Sequence, residues 1–371
     1  MVVVGAGIIG AACAYYLSKA GAAVTVIDKQ GAATHASRAS FAWLNATWAK
    51  QPKSYHHFSQ LSLRLWKEVQ TELNIPIRWQ GSLEWFNSEK RHKKLVADIK
   101  EQIAWGEAAK IINTHETRTL EPFLLIPDDK QFAYSGNDGA VDPVLATNIF
   151  LSAAKAIGAK FMAPVRAEAT VITEGRVTGI STSTGFLAAD KVVLAIGAND
   201  SAFSRLGKMV IPQRSTPGVI AVTHPLPPII NSVVSAPGVH IHQREDGVIV
   251  LGEQSGSPKD QAHLLRLAGR PNDFPNPAVA LAHGDHILKA ATHYFPRLRK
   301  ARISQAYIGW RPLPLDGHPV VGPSDSWPDV FAALAHSGIT LAPLIGKLLS
   351  FEVVTGHSIP ELETYRPSRK F

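Results

Sequence analysis

Three glycines and one acid near the start of the chain have the spacing of a dinucleotide site. Gly5-Ala6-Gly7-Ile8-Ile9-Gly10 follows the β-branched run Val2–Val4, and Asp28 stands 18 residues after Gly10. Gly5 permits a tight turn, Gly7 lets backbone approach a pyrophosphate, and Gly10 lets a helix pack closely on its strand. The amides at that helix start then face the phosphates. Asp28 can accept hydrogen bonds from an adenosine ribose, which favours an unphosphorylated ribose over NADP. The pattern by itself leaves NAD and FAD open.

The elements that must hold these residues are legible on either side. A helix is predicted from Ile8 to Ala20, with Gly21 in the C′ position, and a second buried strand over Ala23–Ile27. The loop from Gly31 to Ser40 is built of small residues, hydroxyls and Arg38, and can wrap a cofactor. Apolar residues at helical spacing mark Tyr55–Leu73, and Ser88–Ala104 reads as a second helix with Ser88 as its N-cap. Val141-Asp142-Pro143 opens a helix to Ile157, with Pro143 in its first turn. Lys160–Met162, Ala167–Thr173, Val177–Thr182 and Lys191–Ala195 then read as short strands with meander turns at Glu174-Gly175 and Thr184-Gly185. Further strands are predicted over Val219–Thr223, Val239–His242 and Val248–Leu251. A loop is predicted over Gly269–Pro277 and a helix from Asp285 to His293.

Composition excludes several classes. With 45% hydrophobic and 18% charged residues the 371-residue chain is not disordered, and its length suits about two domains. One cysteine, Cys13, rules out an internal disulfide framework, a Cys-rich zinc module and an iron–sulfur cluster. Residues 1–18 carry no charge but lack the basic flank of a secretory signal, and three glycines interrupt them. The chain therefore reads as a soluble, cytoplasmic protein, with peripheral membrane contact left open. The first strand begins at Val2, so a start further upstream stays open too. The net charge of +8 invites a nucleic-acid reading, but the Lys90–Lys94 cluster has no interleaved aromatic platform and reads as a solvated face.

In their order and spacing these motifs resemble the D-amino-acid oxidase-like (DAO) FAD-dependent oxidoreductases, the family of glycine oxidase, sarcosine oxidase and D-amino-acid dehydrogenase. The resemblance runs nearly end to end. It rests on the Gly5–Asp28 fingerprint, the Ser37–Ser40 loop, Val141-Asp142-Pro143, Val165 and Leu194-Ala195-Ile196-Gly197-Ala198. It continues through Gly309-Trp310-Arg311-Pro312, Asp316-Gly317-His318-Pro319 and His336-Ser337-Gly338-Ile339-Thr340-Leu341-Ala342-Pro343. It implies an α/β fold: a Rossmann-like FAD-binding domain from residues 1–80, 136–212 and 302–371, with an inserted α+β substrate domain on a mixed sheet from 81–135 and 213–301. FAD would be held non-covalently by Gly5, Gly7, Ile8, Ile9, Gly10, Asp28, Lys29, Ser37, Arg38, Ala39, Ser40, Val165, Ala195, Gly197, Arg311, Ser337, Gly338, Ile339 and Thr340. Arg311 would grip a substrate carboxylate, for which a planar fork of donors is suited; the alternative is that it serves carbonyls or Asp316. Backbone amides of the Gly338 segment would stabilise the anionic reduced flavin.

Departures from the family pattern shape the chemistry. Cys13 lies in the first helix and cannot be the cysteine that links flavin in sarcosine oxidase-like enzymes. Val248–Leu251 offers no oxygen-activating lysine, and His35 reads as an uninvolved loop residue. His336 stands near a second arginine of glycine oxidase-like enzymes and is taken as catalytic with Arg311. Trp43, Trp48, His240, His242, Tyr307 and Trp310 are pocket candidates. His240 and His242 share a strand face, and no carboxylate completes a metal site with them. The implied reaction is oxidation of an amino-acid C–N bond to an imine, with oxygen or a quinone-type carrier as acceptor. Two alternatives are oxidation of a tRNA uridine side chain and service as the FAD-bearing subunit of a heteromeric dehydrogenase. Self-association or a partner chain stays open.

Overall fold

The computed structural model describes residues 1–214, 216–254 and 271–371. Val2–Val4 lies inside a six-stranded sheet, with Thr25–Ile27 parallel on one side and Val192–Leu194 parallel on the other. Lys160–Met162 extends the first side, and Val330–Leu334 then Val320–Pro323 extend the second, the last pairing being antiparallel. The chain leaves Val2–Val4 in one direction and later returns on its other side. That reversal opens a crevice beyond the carboxyl ends of the strands, the usual ligand position in such sheets. The arrangement also corrects the predicted meander. Lys160–Met162 and Val192–Leu194 belong to this parallel sheet, and the meander consists of Ala167–Thr173, Arg176–Thr182 and Gly185–Ala188.

The first helix, Ile8–Lys19, is buried along most of its length and packs on the last long helix, Gly338–Thr355. Small residues allow this approach: a Cβ at Gly346 would stand 2.9 Å from the Ala12 carbonyl carbon. Gly338–Thr355 is the one described helix long and apolar enough to cross a membrane, and here most of it is buried in the core. A small sheet of Trp43–Leu44, Gly139–Val141 and Ile77–Arg78 lies beside this layer.

The second large sheet has eight strands in the order Ile303–Arg311, Thr216–Thr223, Ile249–Glu253, Val239–Gln243, Val233–Ala236, Ser82–Glu84, Gln131–Ser135 and Ala109–Asn113. It is mixed, since Val233–Ala236 runs parallel to Ser82–Glu84. Alternation gives its two faces different work. Val234, Val239, Ile241, Ile249 and Leu251 pack with Ile287, Leu288 and Ala291 of the helix Pro277–Tyr294. Glu84, Ser235, His240 and Gly252 stand in one register row on the opposite face.

Two predicted boundaries change. The resemblance puts Ile303–Arg311 with the cofactor-binding segments, yet it pairs with Thr216–Thr223 along its length and forms an edge of the second sheet. The helix predicted from Asp285 starts instead at Pro277, because Asn276 caps it through Val279 N and Pro277 fits the first turn. Of the predicted loop Gly269–Pro277, the first two residues lie outside the described residues. The predicted caps Ser88 and Asp142 do accept hydrogen bonds from the amides of their helices' first turns.

Candidate active site

A cavity of about 560 Å³ runs along the crevice of the first sheet, a volume typical of cofactor pockets. One end is built by the glycine turn. Gly5 has φ +105°, and a Cβ there would stand 2.4 Å from Ala195 O. A Cβ on Gly10 would lie 1.9 Å from Gly5 O, so helix and turn meet only because both residues are glycine. Asp28 ties this end together. Its carboxylate accepts from Ala6 N at 2.9 Å, Gln30 N at 2.8 Å and Gly31 N at 3.0 Å, and its backbone carbonyl accepts from Val165 N at 2.7 Å. Ser37 Oγ reaches across to accept from Ile8 N at 3.0 Å.

The far end of the cavity is bordered by His336, Gly338, Ile339, Trp310 and Pro312. Proline inside the last helix explains how its first turn is anchored. Pro343 has no N–H for the carbonyl of Ile339, four residues earlier. Trp66 Nε1 donates to that carbonyl instead, at 3.0 Å, and Ser62 Oγ donates to Thr340 O at 2.6 Å. Thr340 Oγ1 donates to Trp43 O at 3.1 Å. The opening turn of the helix is thereby fixed from the helix Lys53–Leu73 and from the strand Trp43–Leu44, with Gly338 and Ile339 turned to the cavity.

Beside this end lies the polar face of the second sheet. Phe41, Trp43 and Trp48 cover His240 with ring-centre distances of 5.3, 6.1 and 5.5 Å. Asp138 fastens that loop to the sheet: it accepts from Trp43 Nε1 at 3.0 Å, Ser82 Oγ at 2.7 Å and Ser135 Oγ at 3.2 Å. Complete burial pushes the Asp138 carboxyl up to about 7, and burial together with the Asp138 charge holds Glu84 well above the usual carboxylate range. Arg311 extends over Gly218, where a Cβ would stand 2.8 Å from Nη2. Among the described residues no carboxylate lies within 4 Å of its guanidinium. Asp316, the alternative partner, is engaged by Arg369 at 2.8 Å. Burial and then the Arg311 charge push His240 down to about 4; burial, Lys50 and Arg311 do the same to His336. Both rings are neutral near pH 7.

The structure gathers part of the predicted set and disperses the rest. Gly5, Gly7, Ile8, Ile9, Asp28, Lys29, Ser37, Ser40, Val165, Ala195, Gly197, Gly338 and Ile339 border the cavity, as do Trp310 and His336. Gly10 does not, being packed against Gly5. Arg38 turns away to stack 4.9 Å from the Tyr307 ring and pair with Asp273, and Ala39 packs where a Gly309 Cβ would be. Arg311 stands outside the cavity wall between Trp310 and Pro312, and Ser337 and Thr340 bond to protein partners beside it. His242 is buried, shares a 2.9 Å hydrogen bond between Nε2 and Phe41 O, and borders a different cavity from the main one. Tyr307 and Arg38 border a second cavity of about 270 Å³ instead. His35, which reads from sequence as uninvolved, borders the main cavity, and neither of its ring nitrogens has a hydrogen-bond partner among the described residues. Sequence reading also misses Lys50, Trp66 and Asp138; for Lys50 the one available signal is a lone cation after the aromatic run Phe41–Trp48.

A glycine-turned strand and helix, an acid closing the second strand, and a further helix start at the other end of one cavity define a dinucleotide-binding protein. The chain belongs to the family described as FAD dependent oxidoreductase (DAO), whose model matches residues 1–351. FAD is its cofactor, and the cavity fits a group of that length, with the glycine turn and Asp28 at one end and the helix start at Gly338 and Ile339 at the other. The chain is 22% identical over 380 residues to an opine oxidase subunit of Agrobacterium tumefaciens (strain Ach5), covering 100% of this chain and 97% of that one. Its fold is similar to a crystal structure of L-proline dehydrogenase from P. horikoshii, with TM-score 0.83, 22% identity and coverage of 99% and 96%. It is also similar to glycine oxidase from Geobacillus kaustophilus, with TM-score 0.84, 21% identity and coverage of 100% and 98%.

Proposed function

We propose that this enzyme oxidises the C–N bond of a small amino acid, whether D-, glycine-like, N-alkyl or cyclic, to an imine. The observation that carries the reading is Arg311, a guanidinium with no acid within 4 Å among the described residues, close enough to His240 and His336 to lower the pKa of both. Glu253 acts on this guanidinium from beyond ion-pair distance, and a fork of donors so placed is matched by a carboxylate on the ligand. FAD would be held between the Gly5–Gly7 turn with Asp28 and the Gly338 helix start, and would supply a two-electron hydride acceptor for oxidation of the neutral amine to an iminium that water hydrolyses, or to a cyclic imine that persists. Arg311 holds the carboxylate and thereby orients the α-carbon. His240 and His336, both neutral, place no competing positive charge beside the substrate amine. Phe41, Trp43 and Trp48 pack around His240 and hold its ring in place. No residue is assigned as general base, since the free amine loses hydride without one.

Names of similar proteins support this substrate class: glycine oxidase of Bacillus licheniformis and the opine oxidase subunit both match the whole chain. The second name also supports another reading, in which the chain works as the FAD-bearing subunit of a heteromeric dehydrogenase. The electron acceptor is oxygen or a quinone-type carrier, and the setting we propose is cytoplasmic. A nucleic-acid substrate gains no support, because Lys93 and Lys94 pair with Glu89 and Asp98 on one exposed helix face. The deciding measurement is anaerobic bleaching of the flavin by a panel of glycine, N-methyl, cyclic, D- and L-amino acids. Bleaching by one class, lost in Arg311→Ala at unchanged FAD content, supports the proposal. A flavin that no member reduces in the isolated chain would favour the heteromeric reading.

A further inference from the structure

Lys50 is 3% exposed, an unusual position for an ammonium group. Its Nζ donates to Ser337 Oγ at 2.6 Å and lies 5.1 Å over the Tyr55 ring. Among the described residues no carboxylate stands within 4 Å of it. Burying a cation with no acid beside it is costly, and negative charge brought in by a ligand would offset that cost further than the Ser337 and Tyr55 contacts do. The next residue along points to where. Ser337 is the N-cap of Gly338–Thr355, and its Oγ also accepts from Tyr55 OH at 3.2 Å. With both lone pairs engaged, its own hydroxyl hydrogen remains to donate, polarised by the ammonium. The next two residues, Gly338 and Ile339, border the cavity, so the cation and the positive end of the helix dipole act on the same end. Lys50 itself does not border the cavity, and its charge is nevertheless felt there, at His336.

We propose that Lys50, acting through Ser337, is a positioning residue that supplies positive charge at the ring-binding end of the cavity and favours the anionic, two-electron-reduced form of FAD. This rests on the reading that the flavin ring lies at the Gly338 end. In that role Lys50 raises the tendency of FAD to accept electrons without touching the substrate.

The test needs no amino-acid substrate, so failure of the bleaching panel would overturn the substrate reading while leaving this measurement intact. FAD-loaded Lys50→Met and Lys50→Arg are compared with the parent by sulfite titration, by dye-equilibrated reduction potential and by binding of benzoate as a carboxylate probe. Lys50→Met is expected to weaken sulfite binding about tenfold, with a potential lower by roughly 30 mV for the two-electron couple. Lys50→Arg restores most of both, and benzoate affinity stays unchanged. Should Lys50→Met not fold, Ser337→Ala, which keeps the cation but removes the hydroxyl, is expected to weaken sulfite binding in the same direction. Unchanged sulfite affinity and potential in a folded variant would overturn the proposal. So would weaker benzoate binding at unchanged potential, which would assign Lys50 to the substrate carboxylate.

Discussion

The guanidinium of Arg311 lies against Gly218, in a space that exists because Gly218 has no side chain: a Cβ there would be 2.8 Å from Nη2 and 2.9 Å from Nε. Arg311 pairs with Thr216, two residues before Gly218 on the neighbouring strand. The glycine therefore fixes the direction in which the longest side chain of the site extends. Gly218→Ala is expected to displace the guanidinium with little effect on folding, since the nearest atoms belong to a flexible side chain. Its signature is a KM for the amino-acid substrate raised about tenfold or more, with FAD content and spectrum unchanged. Equal KM values for Gly218→Ala and the parent would show that Arg311 does not hold the substrate in this pose.

Trp66 substitutes for the hydrogen bond that Pro343 removes. Trp66→Phe keeps an aromatic ring in a fully buried position but leaves the carbonyl of Ile339 without its indole donor. An unsatisfied buried carbonyl together with the smaller ring costs about 1–3 kcal/mol. Because Ile339 is also a cavity residue, the loss should appear as weaker FAD binding as well as a lower Tm. Thermal unfolding with and without added FAD separates the two effects, and a Tm drop that excess FAD fully reverses would place the damage in the site alone.

How much of this is legible in the sequence depends on the range over which each signal acts. The Gly5–Asp28 unit is local: its turn, helix and strand lie within 28 residues, so spacing alone specifies it. Caps are legible for the same reason, as at Ser88 and Asp142. Strand Ile303–Arg311 reads into the wrong layer because its partner, Thr216–Thr223, is about 90 residues away and nothing within the strand names its sheet. His240 and His242 look equivalent, since alternation puts both on one face. What separates them is Phe41, whose carbonyl bonds to His242 and leaves His240 against the tryptophans. Lys50, Trp66 and Asp138 act through partners far along the chain, which no periodicity encodes.

Asp138 makes stability depend on pH in an unusual direction. Its folded pKa is raised to about 7, against an ordinary value near 4 in the unfolded chain. A raised acid contributes stability that is present below the unfolded pKa and lost as pH rises to the folded one. From this group, stability falls between pH 4 and 7 by up to about 1.4 kcal/mol per pH unit. His240, His242 and His336, lowered to about 4, act in the opposite sense, losing stability as pH falls from 6.5. The parent curve is therefore flattened by cancellation, and a difference measurement isolates the acid. Asp138→Asn removes the acid's contribution, so its stability relative to the parent should improve steadily from pH 4 to 7 in urea unfolding. A pH-independent difference would mean that Asp138 is ionised in the folded protein.

Gly10 gives the sharpest test of the cofactor end. It is not among the residues bordering the main cavity and lies packed against Gly5 instead. A Cβ there would stand 1.9 Å from Gly5 O and 3.3 Å from the Ala195 Cβ, and the first of these is backbone that cannot rotate aside. Gly10→Ala must therefore move the first helix away from the turn, and Gly5, Gly7 and the amide of Ile8 move with it. The last helix packs on the first through Gly346 and Ala12, so the displacement also reaches the Gly338 amides at the other end of the cavity. Both ends of the FAD site should weaken together. The expected result is a protein purified without flavin, with FAD affinity reduced at least about a hundredfold, corresponding to roughly 2.7 kcal/mol. Gly21→Ala is the control for a glycine change near the same helix, because no atom lies within 4 Å of its Cβ position, although φ +86° makes it mildly strained. It should lower Tm and keep its flavin; if both variants lose flavin equally, close packing of Gly10 on Gly5 is not what holds the cofactor.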